Sequence, residues 1–203
     1  MWGGVDCIIT DPPYLQKYKS CWSINKNNNE IIGDNDKDLI HNYIQKCYQI
    51  LKNNRAIYIF CNWHHVDYFK QEMEKVGFKI KNLVIWEKNN WSAGDLQASY
   101  GHKYEILIYA NKGRCLLKGH RYSDVWKFPR VPFYQQKHQN QKPIEIIERC
   151  LEEHTNENDI IFDGFMGSGT TGVACKKMNR NFIGCEIDKK YFNVAKERID
   201  KGE

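Results

Sequence analysis

Residues 159–188, DIIFDGFMGSGTTGVACKKMNRNFIGCEID, decide the fold. The apolar run at Ile160, Ile161 and Phe162 is typical of a short parallel strand that is buried on both faces. A second apolar run, at Phe182, Ile183 and Ile187, predicts another strand after an intervening helix. A strand, a glycine-rich turn, a helix and a second strand together predict one unit of an α/β sheet.

The turn of this unit is suited to binding a cofactor. Three glycines allow a sharp bend and close approach of the backbone to a ligand: Gly164, Gly167 and Gly169. Three hydroxyl side chains are expected to cap the next helix, whose free N–H groups face the turn: Ser168, Thr170 and Thr171. Glu186 and Asp188 offer carboxylates to ribose hydroxyls, although Asp188 could instead cap the helix 189–199. The unit therefore predicts a site for a nucleoside-type cofactor.

The pattern GSGTTG alone leaves several classes open. It matches G-x-G-x-x-G, which is shared by dinucleotide-dependent dehydrogenases and by enzymes that use S-adenosylmethionine (SAM). A phosphate-binding NTPase loop is disfavoured because no Lys precedes Thr170. A glycine turn without a ligand is the structural alternative.

A second motif lies near the start of the chain. The strand-like run Val5 to Thr10 leads directly into Asp11, Pro12, Pro13 and Tyr14. The two prolines lack N–H donors and hold the backbone extended, so they form a rigid turn at the carboxyl end of a strand. Ligands bind at this end of the strands in open α/β sheets. The alternative is a proline turn in which Asp11 only caps the backbone.

Together the two motifs resemble a known family. DPPY resembles the catalytic motif of the amino-group (N6-adenine/N4-cytosine) DNA methyltransferases, and FDGFMGSGTT resembles their SAM-binding motif. The order of the motifs resembles the permuted order of the beta class, and the combination is most similar to small phage or prophage-type adenine methyltransferases. The resemblance implies a Rossmann-like sheet and methyl transfer from SAM to an exocyclic amine. Asp rather than Ser at position 11 favours adenine over cytosine.

The resemblance also implies roles for individual residues. Asp11 and the carbonyl of Pro12 would accept the amine hydrogens, and Tyr14 would stack on a flipped-out base. Asp163 would contact the amino group of SAM, and Glu186 its ribose. The residues that would wrap the cofactor are Gly164, Phe165, Gly167, Ser168, Gly169, Thr170 and Thr171. Gly164 replaces a proline that is common in the family.

A third stretch, KHQNQKP at 137–143, resembles the motif that closes over the methionine end of SAM. Gln141, Lys142 and Pro143 match this motif, whereas Gln139 and Asn140 replace its usual Pro and Thr. The resemblance therefore adds Gln141, Lys142 and Pro143 to the cofactor site.

Positive charge is concentrated in one segment. Residues 112–142 contain eight Lys or Arg and one acid, in a chain whose net charge is +5. Aromatic residues alternate with these cations, so 113–137 is predicted as a small target-recognition insert that binds double-stranded DNA. The expected DNA contacts are Lys118, Arg121, Lys127, Arg130 and Lys137. A solvated loop over buried aromatic residues is the alternative.

The remaining patterns predict a single domain over 1–203. Helices are expected at 36–52 and 66–76 and strands at 56–61, 83–86 and 104–110, giving a doubly wound α/β sheet with an antiparallel hairpin at one edge. No segment is found for a strand beyond the Glu186 strand, so the sheet is expected to lack one edge strand, with Met1 an internal start of a longer gene. Residues 15–35 are expected to form a loop, either a lid, a DNA contact or plain surface.

The cysteines bear on the cellular location. Eight cysteines without a C-x-x-C pair indicate reduced thiols and a cytoplasmic protein. Cys61 with His64 and His65 is the only metal-like cluster, and a strand end followed by a helix start is favoured over a metal site, so no metal is expected. No membrane span is expected. The oligomeric state is open, with a homodimer included.

Four alternatives to adenine methylation stay open. They are N4-cytosine methylation, methylation of RNA or protein amino groups on the same scaffold, a nicotinamide-dependent oxidoreductase, and a DNA-binding remnant with little or no catalysis. The oxidoreductase would explain GSGTTG but not DPPY or the basic segment.

Overall fold

The computed structural model describes residues 3–16, 33–91, 96–132, 134 and 141–203. Most of the predicted loop 15–35 lies outside these ranges, as do Lys137 and the rest of 135–140. The strands of the described residues are β1 Val5–Thr10, β2 Leu51–Cys61, β3 Lys79–Glu87, β4 Tyr104–Lys112, β5 Val125–Lys127, β6 Ile160–Asp163 and β7 Asn181–Gly184. The helices are α1 Lys37–Ile50, α2 Val66–Lys75, α3 Ile144–His154, α4 Thr170–Lys177 and α5 Lys189–Lys201.

The strands form one mixed sheet in the order β5-β3-β4-β2-β1-β6-β7. β1 pairs in parallel with β2 and β6, and β6 pairs in parallel with β7. β4 is antiparallel to both β2 and β3, which confirms the predicted hairpin. The outer edge, however, is β5, which pairs in parallel with β3 and comes from within the basic segment. Three residues were too short a pattern to reveal this strand.

Helices cover both faces of the sheet, as a doubly wound fold requires. On one face, α1 and α2 bury Ile40, Ile44, Phe69 and Met73 against the strands. On the other face, α3 and α4 bury residues that include Ile147 and Ala174. β1 lies between these two layers and all six of its residues are buried. The central strand therefore carries its last residues directly into the proline turn.

An ion cluster fixes the amino ends of the parallel strands. Asp6 on β1 is only 3% exposed, and it pairs with Lys52 at 2.9 Å and Arg55 at 2.8 Å. It also accepts a hydrogen bond from the backbone N–H of Ile160 at 3.1 Å. Burial alone would raise the pKa of Asp6, but these partners outweigh it and the pKa is lowered. α1 ends at Ile50 rather than at Lys52, because Lys52 belongs to the strand that reaches Asp6.

The turn residues differ from the sequence prediction in one respect. No side chain caps α4, and its N-cap is Gly169, with φ at +83°. The hydroxyl residues are used elsewhere, since Thr171 donates to Asp163 at 2.8 Å and Ser168 accepts from Arg198. Asp188 does cap α5, accepting from the backbone N–H groups of the first turn at 2.7 and 3.2 Å. The capping role of Asp188 is therefore confirmed.

On the β7 side, β7 is the last strand of the sheet among the described residues. Ile187 lies beyond the end of β7 and is 77% exposed. Within the described ranges, none of the helices combines the length and the apolar character needed to cross a membrane.

Candidate active site

The two predicted motifs line one cavity at the carboxyl edge of the parallel strands. β1 and β6 are neighbours, and Ile8 lies opposite Phe162, so the residues that follow each strand emerge side by side. The cavity has a volume of about 870 Å³, within the range of small-molecule sites. The residues that the sequence predicted for the site and that line this cavity are Asp11, Pro12, Pro13, Tyr14, Gln141, Lys142, Asp163, Gly164, Phe165, Gly167, Ser168, Thr170, Thr171 and Glu186. Gly169 and Pro143 are not among the residues that line the cavity, and they are the N-cap residues of α4 and α3.

Asp163 is a buried carboxylate at the end of β6. It is 4% exposed, and it accepts hydrogen bonds from Thr171 Oγ1 at 2.8 Å and from the backbone N–H of Phe165 at 3.1 Å. Burial raises its pKa to about 7, because these hydrogen bonds do not offset the loss of water. Among the described residues, no Lys or Arg forms an ion pair with it. A cationic ligand in the cavity would supply this missing partner.

Glu186 ties the glycine turn to the chain that follows β7. Its Oε2 accepts from the backbone N–H of Gly167 at 3.0 Å, and its Oε1 accepts from the N–H of Asp188 at 2.9 Å. Gly167 has φ at +51° and a Cβ there would meet nothing within 4 Å, so the backbone faces open space. At Gly169, by contrast, a Cβ would lie 2.9 Å from the Cβ of Ala195. Close packing on one side of the turn thus leaves the other side open for a ligand.

Tyr43 is a site residue that the sequence reasoning missed. Its hydroxyl donates to Thr10 Oγ1 at 2.7 Å and accepts from the backbone N–H of Gly164 at 3.2 Å. Its ring packs edge-on against Phe165, with centroids 4.7 Å apart. A Cβ on Gly164 would overlap the Tyr43 ring, which explains glycine in place of the usual proline. Tyr43 looks like an ordinary apolar residue of α1, so no local pattern indicated this role.

Asp11 belongs to an ionic network that also was not predicted. Lys142 Nζ lies 2.8 Å from Asp11 Oδ2 and 2.9 Å from Glu105 Oε2. The Tyr14 hydroxyl donates to Asp11 Oδ1 and accepts from Lys142 Nζ at 3.1 Å. Glu105 has a second cation, Lys88, at 2.6 Å. In this structure the ammonium of Lys142 therefore contacts Asp11 and Tyr14 of the proline turn rather than open cofactor space.

The charges of this network stabilise one another. Burial opposes the charged form of Lys142, but Asp11 and Glu105 outweigh it and its pKa is raised. Burial likewise acts against the Glu105 carboxylate, yet Lys142 and Lys88 lower its pKa to about 2. Burial raises the pKa of Tyr14, and the nearby Asp11 carboxylate raises it further. The network thus holds Tyr14 as a neutral donor beside a carboxylate.

The predicted DNA contacts do not form one cluster. Lys127 ends β5 and Arg130 follows it, at the same edge of the sheet as the cavity, and the backbone N–H of Arg130 donates to Asn89. Lys118 lies at the far end of α3, where its N–H donates to the carbonyl of Glu153 at 3.0 Å. Arg121 lines a separate pocket near that same end.

Cys61 and His64, two residues of the metal-like cluster, lie in different surroundings. Cys61 is fully buried in the core, whereas His64 stacks on the half-exposed ring of Trp63. Nowhere in the part of the chain that the structure describes do three potential metal ligands come together. The described cysteines, which exclude Cys21, are all free thiols.

Comparisons with known proteins agree with the geometry. A family model described as DNA methylase (N6/N4) matches residues 5–197. Type II methyltransferase M2.LlaDCHI of Lactococcus lactis subsp. cremoris is 33% identical, over 98% of this chain and 83% of that protein. DNA adenine methyltransferase YhdJ of Escherichia coli is 28% identical, over 97% of this chain and 76% of that protein. The solved structure of an M1.HpyAVI–SAM complex is 30% identical with a TM-score of 0.77, covering 97% of this chain and 89% of that chain.

These findings confirm the resemblance drawn from the proline turn and the glycine turn, and they leave the oxidoreductase alternative without support. The matched region includes both motifs, the basic segment and all seven strands. The chain therefore belongs to the N6/N4 DNA methylase family, a family of SAM-dependent DNA methyltransferases.

Proposed function

We propose that the protein transfers a methyl group from SAM to the N6 amine of adenine in double-stranded DNA. The observation that carries the proposal is the shared cavity, since Asp11 and Asp163 line one space from adjacent strands. A reaction between two bound molecules needs this side-by-side placement, because positioning supplies much of the rate.

The residues around the glycine turn fit SAM. The buried carboxylate of Asp163, without a cation of its own in the described residues, suits the amino group of the methionine part. The open side of Gly167 allows the backbone to approach a ligand closely, and Glu186 beside it suits ribose hydroxyls. When bound, SAM supplies a methyl group on a positively charged sulfur, and that sulfur keeps the bonding electron pair when the methyl leaves.

The proline turn performs the chemistry at the base. An exocyclic amine is a weak nucleophile because its lone pair is delocalised into the ring. Asp11 Oδ and the Pro12 carbonyl accept its two hydrogens, which favours a pyramidal nitrogen with its lone pair directed at the methyl group. The nitrogen then forms the new N–C bond and loses one proton, for which Asp11 is the adjacent acceptor. Tyr14 stacks on the flipped-out ring.

The ionic network constrains this mechanism. Both carboxylate oxygens of Asp11 have a partner in the free protein, Tyr14 on one side and Lys142 on the other. The amine must replace or share one of these partners. Lys142 keeps Glu105 as a second counter-ion, so it can remain in place while Asp11 turns to the base.

Two observations favour adenine and DNA. The motif begins with Asp11, which in the resembled family goes with adenine, and the relative YhdJ is named a DNA adenine methyltransferase. Lys127 and Arg130 bring positive charge to the carboxyl edge of the sheet, the edge at which the cavity opens, and phosphates would lie along it. A cytoplasmic location, expected from the reduced thiols, suits this substrate.

The test uses SAM with a tritiated methyl group and four acceptors: duplex DNA, single-stranded DNA, RNA and an unrelated protein. Digestion of the labelled DNA to nucleosides then separates N6-methyladenine from N4-methylcytosine. Label in N6-methyladenine, with duplex preferred, is the expected result.

Other outcomes would overturn the proposal in distinct ways. Label in N4-methylcytosine would reassign the base, and label in RNA or protein would reassign the substrate. DNA binding without transfer, in a protein that binds SAM, would make the chain a remnant. Asp11→Asn is the matched control, because it keeps the size of the side chain and removes its charge.

A further inference from the structure

An exposed stack of flat side chains stands at the cavity edge. Trp63 follows the end of β2 and is 49% exposed. Its ring centroid lies 3.8 Å from that of His64, with 29° between the planes. The His102 ring lies 6.1 Å from the same indole, with 25° between the planes. We call Trp63, His64 and His102 the aromatic stack.

The sheet register places this stack beside the site. Cys61, at the end of β2, pairs with Ile106 of β4, so the residues after β2 meet those before β4 at the carboxyl edge. His64 Nδ1 lies 2.9 Å from Nε2 of Gln16, and Gln16 lines the cavity together with Tyr14. One hydrogen bond therefore connects the stack to the cavity wall.

The stack has no evident role in holding the fold together. A large ring left half in water contributes less burial than the core residues below it, such as Cys61 and Ile106. The partners of Trp63 hold its indole in one orientation and leave part of it open. Flat, exposed π faces of this kind are the surfaces on which nucleobases stack.

Base flipping creates a need for such a surface. When the target base leaves the duplex, its neighbours and its former partner lose a stacking contact. Tyr14 is poorly placed to stack on the bases that remain in the duplex, because its hydroxyl is hydrogen-bonded to Asp11 and Lys142 inside the cavity. The aromatic stack lies outside the cavity, and its His64 contacts Gln16 of the cavity wall.

We propose that the aromatic stack holds the opened DNA duplex by stacking on a base that is left exposed when the target flips. This inference rests on the proposed DNA substrate and adds the residues that stabilise its opened form. Loss of one stacking contact corresponds to about a 10-fold effect on an equilibrium. The stack does not touch the reacting atoms, so Trp63 is a positioning residue.

The experiment compares Trp63→Ala with Trp63→Phe, which keeps a flat ring. Methyl transfer is measured on a paired duplex, on the same duplex with a mismatch at the target, and on the single strand. For Trp63→Ala we expect kcat/KM to fall about 10-fold on the paired duplex, and by less than about 3-fold on the mismatch and the single strand, where opening costs little. Trp63→Phe should recover most of the loss, and SAM affinity should stay unchanged.

A second measurement does not depend on turnover. A duplex with 2-aminopurine at the target position gains fluorescence when that base flips, and Trp63→Ala should reduce the gain at saturating protein. Phe192→Ala is the matched control, since Phe192 is also an exposed aromatic residue, at 41%, and lies on α5, away from the stack. Equal losses on all three substrates, an unchanged fluorescence gain, or the same pattern in Phe192→Ala would overturn the inference. Absence of transfer by the unaltered protein would instead count against the proposed function, and the fluorescence result would still decide the role of the stack.

Discussion

The titration of Asp163 predicts how SAM binding depends on pH. The pKa of this carboxyl is about 7 in the free protein, because it is buried and none of the described Lys or Arg residues pairs with it. A bound ammonium requires the ionised carboxylate and should lower that pKa well below 5. Only the ionised fraction of the protein then binds SAM productively.

The size of the effect follows from the ionised fraction. With a pKa of about 7, about 1% of the sites are ionised at pH 5 and about 9% at pH 6. The Kd of SAM should therefore be about 100-fold higher at pH 5 than on its plateau, which corresponds to about 2.7 kcal/mol. The sign is fixed: affinity rises with pH up to about 7 and then levels off, until the amino group of SAM itself titrates near pH 8.

Isothermal titration calorimetry between pH 5 and 7.5 measures both parts of this prediction. Runs in two buffers of different ionisation enthalpy give the number of protons released, which should be about 0.9 at pH 6. Asp163→Asn cannot release that proton, so its weaker binding should depend little on pH. A flat Kd for the unaltered protein, or an equal pH dependence in Asp163→Asn, would refute the reasoning.

Three further predictions concern single residues. Asp11→Ala should lose methyl transfer and keep SAM affinity within about 3-fold, because in the proposed mechanism Asp11 contacts the base and not the cofactor. Calorimetry and a transfer assay on one sample test this. Gly167→Ala should lower the free energy of unfolding by about 1 kcal/mol or slightly more, because alanine is strained at its positive φ. Gly169→Ala should lose at least about 1 kcal/mol beyond that, because its Cβ also meets Ala195. Urea unfolding gives both values, and equal losses would contradict the packing argument. Lys142→Met should lower the free energy of unfolding by about 1–3 kcal/mol, because Asp11 and Glu105 lose their shared cation while Glu105 keeps Lys88. Adding Glu105→Gln should recover part of that loss, and additive losses in the double variant would show that the pair does not interact.

The sequence determined much of this protein because its strongest signals are local. Consecutive prolines after an apolar strand define a turn whatever surrounds them, and so does the glycine pattern before α4. Asp188 as a helix cap follows from its neighbours alone. The order of these elements then implied the doubly wound sheet, since alternating strands and helices have few ways to pack.

Tertiary structure decided which distant side chains meet. Tyr43 and Gly164 are far apart in sequence, and only the packing of α1 beside β1 and β6 explains the absence of a side chain at 164. Glu105 and Lys142 have no motif that joins them, yet they form the network that holds Asp11. The basic segment forms one patch in the sequence, but β5 places part of it at the carboxyl edge of the sheet, whereas Lys118 lies at the carboxyl end of α3. Patterns along the chain record what each backbone segment can do, whereas ion pairs and stacked rings depend on the register of the sheet, which is fixed only when all the strands have paired.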